Sequence, residues 1–316
     1  MSTDEVATLI DEESESNTNK QDKVFDLPFK LRARPAQYSL DDEIQFSCHK
    51  DIACFNKCCR NIEIQLTPYD ILRLKKHLTI SSKEFVARFT YPFEMDGQGI
   101  PGLRLIHKSK SSECIFLTEE GCSVYQNRPT ACRYYPLGNI GVRQKKDHKV
   151  NIMYFIMKED RCLGHNEAKT QTVREYLHEQ GAAQYDQYND DWRDIIINKR
   201  SSGPAIGKPS ERSMQLFDMC SYDIDSFRDF IQTSSFLNLF NIDHQMLDFL
   251  TSNDEELLLF AMRFLKQVLF GRKTIPMKQA AMERSFEKRE FILQQRLEAE
   301  KLAHEPVDAL EELIEH

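Results

Sequence analysis

Apolar residues recur along this chain with two different periods. In the first half, Ile62-Glu63-Ile64-Gln65-Leu66 alternates apolar with polar, the period of a half-buried strand. Leu103 to Ile106 and Val150 to Met157 are rich in β-branched and apolar residues and predict two further strands. Thr67-Pro68 followed by Asp70 has the form of an N-cap, a first-turn proline and a first-turn acid, which predicts a helix to about Leu78. Ser81 with Glu84 three residues on makes a capping-box pattern and predicts a helix over Ser82–Phe89. Three glycines and a proline between Met95 and Gly102 mark a turn. Between Cys114 and Tyr135, Gly121 and Pro129 predict loops and one short helix opening near Arg128-Pro129.

From Lys169 onward the helical period takes over. Helices are expected over Thr172–Glu179 and Ala182–Lys199, then over Met214–Cys220, Ile224–Ile231 and Gln245–Leu250. Glu255–Phe270 has acids at its start, a broad apolar face and Gly271 at its end, the full signature of a capped amphipathic helix. Met277–Ala303 predicts a long charged helix, and an acidic turn or helix follows Pro306. No internal repeat is found. The chain thus divides into an acidic tail (1–23), a cysteine-cluster domain (24–168), a helical extension (169–200), a Ser/Gly/Pro linker (201–209) and a helical region (210–316). The tail is too polar to offset its ordering entropy and reads as disordered. The fold class is α+β, predominantly helical, with a small metal-stapled domain of a few short strands ahead of the helices.

Composition narrows the function. The formal net charge of -8 argues against a nucleic-acid binder, because phosphate binding needs a basic surface. The first residues show no secretory pattern, and no apolar run approaches the ~18 residues of a membrane span. The expected location is the cytosol, where clustered cysteines bind metal or do redox chemistry more often than they form disulfides.

Eight of the nine cysteines lie between residues 48 and 162: Cys48, Cys54, Cys58, Cys59, Cys114, Cys122, Cys132 and Cys162. Thiolate is a soft ligand that suits zinc, iron–sulfur clusters or copper(I). Two groups far apart in sequence fit a site that ties two chain segments together. In an extended segment, Cys58 and Cys59 would point to opposite faces and so serve two sites or two metal atoms. Cys162-x2-His165 has ligand spacing and His49 adjoins Cys48, but with thiols this abundant both histidines read first as exposed. A set of thiolates around a metal carries net negative charge and needs donors nearby. Arg128, Arg133, Tyr125 and His165 are the candidates to surround the ligands, with simple packing or surface charge as the plainer reading of each. Lys57, Arg60 and Arg161 also lie close to cysteines in sequence. Cys220, alone in an apolar stretch, and Trp192 read as core residues.

These residues resemble the YkgJ-type cysteine-cluster family, described as zinc- or iron-chelating. Cys54, Cys58 and Cys59 match its first cysteine group. Its second block is matched by Cys114, Phe116, Leu117, Gly121, Cys122, Tyr125, Arg128, Pro129, Cys132, Arg133 and Pro136. Many members have two residues between the cysteines before the Cys-Cys pair, whereas three separate Cys54 from Cys58. The resemblance implies a zinc or iron–sulfur centre. The family is similar in turn to flagellin lysine N-methylases, which by analogy alone would imply S-adenosylmethionine and methyl transfer. The sequence shows no glycine-rich cofactor loop and lacks the Cys-x3-Cys-x2-Cys spacing of radical enzymes. Three functions follow as expectations: a metal-binding module whose helical region meets a protein partner, a protein-modifying enzyme with an open iron position, and a thiol redox sensor.

Overall fold

The computed structural model describes residues 37–60, 62–95, 99–109, 111–143, 150–201 and 210–303. In chain order these form β1 (Gln37–Tyr38), β2 (Glu43–Gln45), β3 (Gln65–Leu66), α1 (Pro68–Leu78), α2 (Ser82–Phe89), β4 (Thr90–Glu94) and β5 (Pro101–Leu105). A short hairpin, β6 (Leu117–Thr118) with β7 (Gly121–Cys122), leads to α3 (Thr130–Tyr134), β8 (Leu137–Arg143), β9 (Val150–Ile156) and β10 (Thr170–Thr172). The helices that follow are α4 (Val173–Glu179), α5 (Ala182–Ser201), α6 (Glu211–Tyr222), α7 (Ile224–Ile231), α8 (Ser234–Leu237), α9 (His244–Ser252), α10 (Asp254–Phe270) and α11 (Gln279–Ala303). The architecture is α+β and largely helical, with its short strands early and its long helices late. No helix among the described residues is long and apolar enough to cross a membrane. The expected tail (1–23), most of the 201–209 linker, part of the turn after Met95 and the segment after Pro306 lie outside the described residues.

Two compact units emerge. One contains the described residues of Met1–Ser47 with Tyr135–Tyr176, the other Cys48–Tyr134 with the described residues of Leu177–His316. In the first unit, β9 lies between β1 and β8 in an antiparallel sheet. Gly138 pairs with Phe155, whose ring lies over it so closely that a Cβ at 138 would sit 2.2 Å from the ring. A second ladder pairs β2 with β10, placing Ile44 opposite Gln171. Phe46 is buried in this unit and its ring meets those of His165 at 5.2 Å and Tyr176 at 5.8 Å.

The second unit is built on α1 and α10. Thr67 caps α1 by accepting the Asp70 N–H, and the Asp70 carboxylate accepts the Thr67 N–H in return. That reciprocal box satisfies two of the N–H groups that a helix start leaves open. At the other end, Thr79 closes α1 in the left-handed region at φ 56°. Helix α10 is capped by the Asn253 side chain and by Gly271 at φ 65°, and buries Leu257, Leu258, Phe260, Ala261, Met262, Phe264 and Leu265. Around Phe264 stand the rings of Phe227, Phe230, Phe236 and Phe240, each 5.7–5.8 Å away. The end of α1 is tied to α7: Lys75, only 7% exposed, reaches Asp225 at 2.6 Å. Asp225 also accepts the Ser82 N–H and the Arg228 guanidinium.

Most expected helices are present. The helix bounds at Ser82–Phe89 and Ile224–Ile231 coincide with the expected ones, and α10 begins one residue earlier than expected. The strand expected over Ile62–Leu66 shrinks to Gln65–Leu66, because only those two residues pair with β5. Strands β4 and β8 were not expected. Their sequences, T-Y-P-F-E and L-G-N-I-G-V-R, carry a proline and two glycines, and pairing with β5 and β9 makes them strands. The short α8 was also unexpected.

Phe264→Ala should lower stability by about 3–5 kcal/mol, since it removes the ring that four neighbours pack against; urea unfolding of the purified protein measures it. Asp225 gives a pH test. Burial opposes its ionisation, but Lys75, the Ser82 N–H and Arg228 outweigh burial and hold its carboxyl below the usual carboxylate range. Its stabilisation is therefore complete above the unfolded value near ~3.9 and fades as pH falls further. Asp225→Asn should cost about 2–3 kcal/mol at pH 7, part of the buried-pair penalty being screened by exposure. The gap from wild type should close progressively below pH ~4. An unchanged gap between pH 7 and pH ~2 would contradict the assignment.

Candidate metal centre

Seven of the eight clustered cysteines belong to the second unit; Cys162 belongs to the first. Cys48 is exposed at the start of a run of turns in which the Ile52 N–H bonds His49 O and the Lys57 N–H bonds Cys54 O. Asn56 takes the left-handed region at φ 63°, where asparagine is tolerated, and the chain then enters a 3-10 turn at Lys57–Cys59. Cys58 and Cys59 therefore sit on a turn rather than on an extended segment. Cys58 is the first cause of the rise in the Cys59 pKa, so the two thiols act on one another.

The downstream cysteines are brought to this turn by backbone pairing. The Cys114 N–H donates to Cys59 O at 2.8 Å. One step along, Arg60 bridges to Glu113 and forms an ion pair with it. From Cys114 the chain makes the β6–β7 hairpin, whose reversal needs Gly121 at φ 126°, a conformation open to glycine. Cys122 follows in β7, opposite Leu117. A 3-10 turn at Tyr125–Asn127 and Pro129 then lead into α3, which carries Cys132.

Five thiols, Cys58, Cys59, Cys114, Cys122 and Cys132, feel one another electrostatically. Cys58, then burial and the other thiols, push Cys59 far above its ordinary value. Burial first, partly offset by a backbone hydrogen bond, and then neighbouring thiols push Cys114 and Cys122 up. Burial followed by Cys114, Cys122, Asp70 and Cys58 pushes Cys132 well up. Cys58 contributes to the rise of all four. Even so, among the described residues no three His, Cys, Asp or Glu side chains are arranged as a metal-holding group. The donor chemistry fits a soft cation, while the thiols as they stand do not form a ready cage. All nine cysteines are thiols, with no disulfide among them.

The arginines of the second block both bind backbone carbonyls, and the charge of Arg128 also favours ionisation of Cys122. Arg133 is buried, and its guanidinium donates to Arg128 O at 3.2 Å, Gln126 O at 2.7 Å, Gln180 O at 2.7 Å and the Tyr185 hydroxyl at 3.0 Å. Its plane also lies 4.0 Å from the centre of the Tyr185 ring. Arg128 donates to Tyr125 O and to the Gln180 side chain, and stacks on the Tyr125 ring at 4.2 Å. Tyr125 is itself 52% exposed. Tyr134, next in α3, donates to Asp186 of α5 at 2.7 Å. Together these contacts fasten the loop before Cys132 to the start of α5. His165 sits in the first unit, near Met157 O at 3.3 Å, and burial lowers its pKa from the ordinary value. Cys220 is fully buried in α6 and Trp192 is buried in α5, both within the helical core.

Nothing in the sequence marks Asp70 as part of this region beyond its place in the cap of α1. It is completely buried, and its second oxygen accepts the Thr130 N–H at 2.8 Å and the Thr130 hydroxyl at 2.7 Å. A first-turn acid that caps its own helix carries no local mark of a partner 60 residues away.

Arg133→Lys should cost about 2–4 kcal/mol, because an ammonium cannot satisfy carbonyls on three sides and leaves buried acceptors short of donors. Thermal unfolding measures the loss, and a variant as stable as wild type would show that the fork is dispensable.

Residues 47–162 match the CxxCxxCC family, whose description reads "Putative zinc- or iron-chelating domain". The spacing in that family name differs from the intervals between Cys48, Cys54, Cys58 and Cys59 here. No curated protein and no solved structure matches the chain. The matched stretch holds every cysteine except Cys220.

Proposed function

We propose that the second unit binds a soft metal, zinc or iron, through ligands drawn from Cys58, Cys59, Cys114, Cys122 and Cys132. The observation that carries this reading is the backbone pairing of Cys114 with Cys59, which brings two distant cysteine segments together, with burial and neighbouring thiols raising Cys59, Cys114, Cys122 and Cys132 alike. Buried thiols that oppose one another's ionisation stay protonated at neutral pH unless a cation offsets the charge. A thiophilic metal supplies that charge, and the family description agrees with it. Because the thiols do not already enclose a metal-sized point, binding would draw them together and so couple to folding of the surrounding turns. Five donors exceed the four of a closed tetrahedral site. Cys48 and Cys54, in the same unit, are the candidates for further coordination. The methyl transfer implied by resemblance has no observation of its own and is not proposed.

Anaerobic purification followed by zinc, iron and sulfide analysis tests the reading. Colourless zinc-loaded protein would mark a zinc site; a brown chromophore bleached by dithionite would mark an iron–sulfur centre. Cys58→Ser should weaken metal binding by about tenfold or more, at least as much as loss of an outer partner does. Cys220→Ala should retain wild-type affinity. Affinity should rise steeply with pH and uptake should release protons, since the thiols start protonated. Protein that holds no metal and takes up neither Zn²⁺ nor Fe²⁺ would end the proposal.

A further inference from the structure

We infer that Asp70 is a positioning residue for the Cys132 ligand, an inference that rests on the metal-binding reading above. Helix α3 is only five residues long. Pro129 stands immediately before it, so the place where a Ser, Thr or Asp side chain would cap the helix offers no side-chain oxygen. The Pro129 carbonyl accepts the N–H groups of Cys132 at 3.0 Å and Arg133 at 3.1 Å, but the Thr130 N–H needs another acceptor. Asp70 provides it from a different helix. One carboxylate oxygen takes both the N–H and the hydroxyl of Thr130, while the other takes the Thr67 N–H. Asn189 of α5 donates to the same Thr130 hydroxyl at 3.2 Å.

Three donors on a fully buried carboxylate fix its orientation. Through it the start of α3 is fixed against the start of α1. A five-residue helix has too few internal hydrogen bonds to hold its own direction. The thiol of Cys132, two residues beyond Thr130, therefore takes its place from this external clamp. Outer partners of this kind orient metal ligands, and their removal costs about 10–100-fold in affinity.

The test is anaerobic Co²⁺ titration of the full chain as wild type, Asp70→Asn, Thr130→Val and Thr130→Ser. Thiolate-to-cobalt charge-transfer and ligand-field bands are recorded, affinity is taken from chelator competition, and metal-free stability from urea unfolding. Asp70→Asn turns one oxygen into a donor facing the Thr67 N–H. Thr130→Val removes the hydroxyl at nearly constant volume. Both should weaken Co²⁺ binding by about 10–100-fold and shift the ligand-field bands, while Thr130→Ser keeps wild-type bands and affinity. Should Asp70→Asn fail to fold, the Thr130→Val and Thr130→Ser pair decides. Wild-type bands and affinity in Thr130→Val, with only metal-free stability reduced, would overturn the inference. So would a Thr130→Ser variant as impaired as Thr130→Val. A wild-type chain with no thiolate-to-cobalt band would instead defeat the metal-binding reading, and this inference with it.

Discussion

Burial and mutual repulsion act in the same direction on the thiols of Cys59, Cys114, Cys122 and Cys132, and both oppose ionisation. Most sulfur in protein cores is dispersed, as Cys220 is, and behaves as a small apolar group. Here the sulfur is concentrated, and the chain has arranged for that concentration with backbone bonds. The Cys114 N–H on Cys59 O and the Arg60–Glu113 bridge beside it hold the two segments in register whatever the state of the thiols. The protein thus fixes the framework and leaves the charge of the sulfurs to be settled by what they meet.

That division explains the arginines beside the cysteines. Counter-charge for thiolates is the obvious use of a guanidinium next to Cys132, yet Arg133 directs its donors at three carbonyls and a tyrosine hydroxyl. A guanidinium has five donors in a rigid fork, and lysine could not reach these acceptors together. The block Arg-Pro-x-x-Cys-Arg therefore reads as a folding instruction. Arg128 and Arg133 both engage Gln180, just ahead of α5. Pro129 opens α3, and the cysteine is carried on the result.

Local chemistry made α1 and α2 legible in the sequence, because their caps lie within three residues of one another. The amphipathic face and terminal glycine of α10 were legible for the same reason. Strands β5 and β9 were legible from their apolar content, but other features decided at a distance were not. Strand β8 has no apolar run of its own and exists because β9 pairs with it along seven residues. The adjacency of Cys58 and Cys59 suggested opposed side chains, but that inference needed an extended backbone, and Asn56 turns the chain into a 3-10 step first. The cysteine segments were identifiable by composition; Gln180, Tyr185 and Asn189, which steady the last of them, belong to helical sequence with no chemical signature.

The helical part is not a separate body appended to the cysteine turns. Both fall within the second unit, and α1 joins them. Its first turn holds Asp70 against the start of α3, and Lys75, five residues on, holds Asp225 at the start of α7. Five residues of α-helix span about 7.5 Å, so the hydrogen bonds of Asp70 and the ion pair of Lys75 are separated by little more than one turn of a stiff rod. Lys76, the next residue, reaches Glu255 at the start of α10 at 3.1 Å. A displacement of α3 would therefore have to be absorbed at Asp70, by a carboxylate with three donors, or passed along α1 to the packed phenylalanines of α7 and α10. Close-packed cores resist such shifts. The cysteine turns are consequently held by the stability of the helical core, and the order of the sulfur site is supplied by residues outside the cysteine segments.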